Sequence, residues 1–169
     1  MKMKKRKKIA DQFAYFMRKE LKNHFKKSLK WELGGPKGWN VGKESADVTG
    51  YALKSEKPRV LIEIERRRDA PVSNVAKTWA WIIEQEKKKK LPKRPILIQA
   101  FSGVYSESDR RRNHAELIGR LMESAKVAKY IPIPFDYKPK KNAKNCEGAC
   151  QGHAKRLAGR IVEKLRGRL

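Results

Sequence analysis

The sequence predicts an α/β sandwich with a mixed central sheet. Three observations carry that expectation. Apolar residues recur at helical spacing near both ends of the chain. Two short β-prone stretches sit either side of a turn, so they predict an antiparallel pair. A continuous apolar run, Ile96 to Phe101, then lies between two further helical segments.

Each element follows from its pattern. Phe13, Phe16, Met17, Leu21 and Phe25 form one stripe of a first helix, from about Ile9 to Lys27. Gly34, Gly35, Pro36 and Gly38 then predict a loop. Strands are expected over Ala46–Leu53 and Arg59–Arg66, with Ser55-Glu56-Lys57-Pro58 as the hairpin turn. Ser73 suits an N-cap for a helix reaching about Lys89, with Val75, Trp79, Ile82 and Ile83 at its centre. Pro92 and Pro95 end it. Ile96 to Phe101 is typical of a strand buried on both faces. A helix over Ser108–Ala128 contains Leu117, Ile118, Leu121 and Met122. Tyr130–Phe135 reads as a short strand, placed at a sheet edge by Pro132 and Pro134. Leu157, Ile161, Leu165 and Leu169 recur at four-residue steps in a last helix, about Cys150 to Leu169. The other faces of that helix carry Lys155, Arg156, Arg160, Lys164, Arg166 and Arg168.

The chain has 169 residues, enough for one domain with a true core, expected over 9–169 behind a basic arm at 1–8. Forty-three Lys and Arg against 18 Asp and Glu leave a net charge of +25. Such an excess repels itself unless a polyanion is near, so nucleic acid is the leading partner. An anionic membrane surface is the weaker alternative. No run is apolar enough for a signal core or a membrane span. With only Cys146 and Cys150, a disulfide scaffold is excluded, and a cytoplasmic location is expected. The arm Met1–Lys8 suits contact with a phosphate backbone, or is simply a solvated tail. Lys87–Lys90 and Lys138–Lys144 read as solvated surface.

The stretch Val60-Leu61-Ile62-Glu63-Ile64-Glu65 carries the chemistry. Alternation puts Val60, Ile62 and Ile64 on one face, and Leu61, Glu63 and Glu65 on the other. Two carboxylates on one face of an apolar strand repel each other and resist desolvation. A hard divalent cation, Mg²⁺ or Mn²⁺, would relieve both problems. Asp47, near the start of the preceding strand, can approach them across a hairpin. Glu20, on the border of the first helix's stripe, is a possible fourth acid. The competing reading is a solvated strand face paired with Arg66, Arg67 and Arg68.

Asp47 followed by Glu63-Ile64-Glu65 and then a helix resembles the PD-(D/E)XK nuclease superfamily, over roughly Ile9 to Phe101. The resemblance implies a restriction-endonuclease-like αβββαβ core with a central mixed sheet flanked by helices. It also implies metal binding by Asp47 and Glu63, with Glu20 matching the helix glutamate of that family. Ala46 stands where the family often has proline. Glu65 stands where it usually has lysine, as in some restriction enzymes. Lys77 is the candidate replacement, because residues 74, 77 and 81 share a helical face; an ordinary surface lysine is the alternative.

The function expected is therefore Mg²⁺-dependent endonuclease action on DNA, of restriction or repair type, with Asp47, Glu63 and Glu65 at the metal and Lys77 and Glu20 assisting. A homodimer would place two sites on two strands. A structure-selective nuclease and a non-catalytic basic nucleic-acid-binding protein are the alternatives. Arg66, Arg67, Arg68, Arg110, Arg111, Arg112 and Asn74 are the candidate DNA contacts. Cys146, Cys150 and His153 form a C-x3-C-x2-H pattern, read either as a zinc site or as two reduced cysteines near a helix start. His24 is expected near the core, and His114, after three arginines, beside DNA. Trp79 and Trp81 point to different sides of their helix, so one belongs to the core. Trp39, in the Gly-rich loop, is a candidate for base stacking or for packing.

Overall fold

A computed structural model describes residues 9–35, 46–54, 57–66, 70–88, 94–137 and 147–169, the side chains of 9–11 and 147–149 apart. The basic arm, Trp39, Arg67, Arg68, Cys146, Pro92 and the 138–144 lysine run lie outside the described residues, as do Ser55 and Glu56 of the predicted turn.

Helix α1 spans Ile9–His24 and buries Phe13, Met17 and Leu21 completely. Strand β1, Leu29–Leu33, follows at once. The sequence reading lacked this strand, although Leu29 and Trp31 are buried around an exposed Lys30, the period-two signature of a half-covered strand. Its five residues and two charges hide it among turn-like neighbours. Strands β2 (Val48–Ala52) and β3 (Pro58–Glu65) form the expected antiparallel pair. Gly50 faces Trp31 across β1 and β2, and a Cβ there would stand 2.9 Å from the indole, so glycine lets the ring lie on the strand.

Helix α2 runs Pro71–Lys87. Its cap is Ala70, not Ser73. Proline in the first turn explains the earlier start: its fixed φ suits the helix, and its missing N–H would have no helical partner there. Strand β4, Ile96–Ser102, is buried at every position. Helix α3 spans Arg110–Ser124, with Asp109 accepting from the backbone N–H of Arg111 and Arg112. Its buried stripe is Ala115, Gly119 and Met122, whereas Leu117 and Leu121 are about half exposed. Strand β5, Lys129–Phe135, closes one edge. Pro132 and Pro134, two residues apart, turn their absent N–H groups to the same, unpaired side. Helix α4, Glu147–Leu165, completes the chain.

The sheet is five-stranded and mixed, in the order β1-β2-β3-β4-β5. β1, β2 and β3 alternate in direction; β4 and β5 run parallel to β3. Helices cover both faces. On one, α1 and α4 pack over Val60, Ile62 and Ile64; on the other, Leu61 and Leu97 meet Val75, Trp81 and Ile82 of α2 and Ala115 and Met122 of α3. Trp81 is thus the core tryptophan, with Trp79 partly buried beside it. Leu157, Ile161 and Leu165 of α4 are wholly buried, each stabilising the fold by about 1.5–3 kcal/mol relative to exposure. Among the described residues, no helix is long and apolar enough to cross a membrane.

Candidate functional site

Alternation along β3 sends Glu63 and Glu65 to the α2 side of the sheet, with Leu61. Both are buried: Glu63 is 8% exposed and Glu65 0%. A solvated strand face is therefore not what this sequence builds. Burying two carboxylates demands compensation, and for Glu65 much of it is visible.

Glu65 accepts hydrogen bonds from Asn74 Nδ2, at 3.1 and 3.2 Å to its two oxygens, and from Gln99 Nε2 at 2.6 Å to Oε1. Asn74 comes from the first turns of α2 and Gln99 from the neighbouring strand β4, where it stands in register with Glu63. Gln99 Nε2 also donates to the carbonyl of Pro71 at 3.0 Å, tying the start of α2 to the sheet. Tyr130 OH donates to Gln99 Oε1 at 2.7 Å. That bond sets the amide's orientation: oxygen toward Tyr130, nitrogen toward Glu65. Gly119 of α3 makes room for the phenol, since a Cβ there would lie 2.4 Å from the ring. Burial, and then the charges of Glu116 and Glu65, push the Tyr130 hydroxyl well above the ordinary tyrosine range, so it remains a donor.

Asp47 lies just before β2 and is bonded to both neighbours of Glu63. Its N–H donates to the Ile62 carbonyl at 3.0 Å, and its Oδ2 accepts from the Ile64 N–H at 2.8 Å. These bonds lie just beyond the last paired residues of the ladder, Val48 and Ile62, and tie Asp47 to the backbone of β3 on either side of Glu63. Oδ1 of Asp47 stands 3.4 Å from the Arg66 guanidinium. Ser102 Oγ donates to the Arg66 carbonyl at 2.7 Å, fixing the chain where β3 ends.

Lys77 is half-buried, three residues after Asn74 on the side of α2 that meets Glu65. Glu20 is half-buried on α1, which covers the opposite face of the sheet from Glu63 and Glu65. Asp47 is bonded to the backbone on either side of Glu63, and Asn74 to Glu65, whereas Glu20 stands on the helix across the sheet from them. Among the described residues, no three His, Cys, Asp or Glu side chains form a group that could hold a metal ion between them. Glu65 is held by the amides of Asn74 and Gln99, while Asp47 is tied to the backbone of β3 beside Glu63.

No protein-family model, no curated protein and no solved structure matches this chain.

The basic candidates divide by position. Arg110 is exposed at the start of α3. Arg111 bonds Asp109 at 2.8 Å and lies 4.9 Å from the centre of the Tyr105 ring, while Arg112 bonds Glu116 at 2.7 Å and lies over Phe101. Asn74, expected at DNA, spends its amide on Glu65, and Arg66 lies against Asp47. His24, expected near the core, is exposed, as is His114. His153 packs against Tyr137, with its Nδ1 2.9 Å from Arg156; burial and then the Arg156 charge lower its pKa. Cys150, in the first turn of α4, is buried.

Gln99 and Tyr130 were missed by the sequence reading. Gln99 had a signal: it is the sole polar residue in the run Ile-Leu-Ile-Gln-Ala-Phe, and an amide in a doubly covered strand must have partners. Tyr130 had none, because its relation to Gln99 appears only once β4 and β5 pair.

Proposed function

We propose that the protein is a metal-dependent DNA endonuclease, with a restriction-endonuclease-like core and its site at the C-terminal end of β3. The observation that carries this reading is that Asp47 is bonded to the backbone of both neighbours of Glu63, itself a buried carboxylate. The donor chemistry fits Mg²⁺ or Mn²⁺: both ions favour carboxylate oxygen, and Mg²⁺ is commonly held by one or two carboxylates together with water and phosphate oxygens. Asp47 and Glu63 would hold the ion. Bound there, it would supply Lewis acidity toward a phosphoryl oxygen and toward water.

The chain's own residues perform the remaining work. Glu65 is oriented by Asn74 and Gln99 and presents a fixed negative charge beside the ligand pair. Lys77, on the same face of α2, is the positive group that orients a water or offsets charge on the scissile phosphate. Arg66, which lies against Asp47, and the exposed Arg110 on α3 are the cations for phosphate oxygens. The net charge of +25 draws the polyanion in.

A second reading, a non-catalytic nucleic-acid-binding protein on the same fold, is favoured by one observation: the carboxylates of Asp47 and Glu65 already accept from protein donors. Supercoiled plasmid with Mg²⁺ or Mn²⁺ separates the two. Wild type should nick and linearise it, and Glu63→Gln should lose that activity by at least about a hundredfold. Equal cutting by Glu63→Gln removes the site; no cutting by wild type on duplex, junction or flap DNA selects the second reading.

A further inference from the structure

The ion pairs of this protein are unevenly distributed over its described surface. Ion pairs among the described residues tie down Lys30 on β1, Arg66 just after β3, Lys88 just after α2, and Arg111, Arg112 and Arg120 on α3. The α1/α4 layer differs. Lys19 and Lys22 on α1, Lys26 just after it, and Lys155, Arg160 and Lys164 on α4 are all exposed, and none is ion-paired among the described residues. Among the described side chains of these two helices the carboxylates are Glu163, which is exposed, and Glu20, which is half-buried.

The apolar stripes of α1 and α4 pack against each other and the sheet, so their outward faces form one side of the molecule. We propose that this side is a docking surface for the sugar–phosphate backbone of a nucleic-acid duplex, separate from the acidic site on the other face of the sheet. It does not depend on the hydrolytic reading.

Charge complementarity selects the occupant. A duplex offers one negative charge per about 1.7 Å of axis, and unpaired Lys and Arg on an exposed face release its condensed counterions without first breaking an ion pair. Arg160 and Lys164, one helical turn apart, advance by about 6 Å along α4, which lets them meet successive phosphates. A membrane-surface helix would need an apolar face free to enter lipid. Here the apolar faces of both helices are spent on the core.

The test compares two quadruple variants of the full chain. One replaces Lys22, Lys26, Lys155 and Lys164 with Gln. The other replaces Lys30, Lys54, Lys87 and Lys126 with Gln, removing the same charge from other surfaces. Both sets are exposed, so both variants should fold, as circular dichroism will verify. Affinity for a duplex is measured across a salt series. The α1/α4 variant should bind on the order of a hundredfold more weakly, with a salt slope shallower by about 3 to 4. The control should stay within a few-fold of wild type. Equal losses in the two variants, or wild-type binding by the first, overturn the proposal. So does an α1/α4 variant that loses only its binding to phosphatidylserine vesicles. Binding is measured in EDTA, without divalent cation, which keeps this result apart from the nuclease assay.

Discussion

Tyr130 OH donates to Gln99 Oε1 at 2.7 Å, and the same amide's nitrogen donates to Glu65 Oε1 at 2.6 Å. A phenol on the edge strand thus orients a carboxylate two strands away. Tyr130→Phe leaves the Gln99 oxygen buried without that donor, at a cost of about 1–3 kcal/mol. Urea unfolding should report this as a lower midpoint with an unchanged slope. An unchanged midpoint would mean that the amide finds another donor.

The same hydroxyl gives a pH signature. Its pKa is raised in the folded protein above the ordinary value of 10.0. The unfolded chain therefore releases this proton first as pH rises. The contribution to stability is complete below about pH 10 and drains away above it. Wild type should lose stability more steeply than Tyr130→Phe above that pH, measured by thermal melts.

Gly119→Ala tests the space beneath the ring. The added methyl would sit 2.4 Å from Tyr130, so the phenol must shift and its bond to Gln99 stretch. Overpacking of this kind costs about 1–3 kcal/mol, outweighing alanine's better helix propensity of about 1 kcal/mol. A more stable Gly119→Ala variant would show that the ring has room to move.

Asp109 caps α3 and bonds Arg111, and the Arg111 side chain holds its carboxyl below the ordinary 3.8. Asp109→Ala should cost about 1 kcal/mol, and Asp109→Asn less, because the amide oxygen can still cap. The lowered pKa means that this stability is present above about pH 4 and is lost as pH falls through the folded value. The gap between wild type and Asp109→Ala should therefore close in acid.

Much of the fold was legible because its signals are local. The stripe on α1, the four-residue steps of α4 and the unbroken run of β4 each report one burial pattern within one element. β1 escaped because five residues with two charges carry little weight alone; its strand character comes from pairing with β2. The start of α2 shifted because Pro71 outcompetes Ser73 for the first turn. At the site, Glu63 and Glu65 stood out as charges in an apolar strand, and Asp47 as an acid beside the strand before it. What their oxygens touch depends on Asn74, Gln99 and Tyr130, brought together from α2, β4 and β5, and no spacing in the sequence encodes that meeting.

The pairing of Asp47 with Glu63 as a cation site is tested most directly by calorimetric titration of Mn²⁺ into the purified protein. One site should appear in wild type, vanish in Asp47→Asn and Glu63→Gln, and persist in Glu20→Gln, whose helix lies across the sheet. A titration in which wild type takes up no Mn²⁺, or in which the Asp47→Asn, Glu63→Gln double variant binds it as wild type does, would contradict the account.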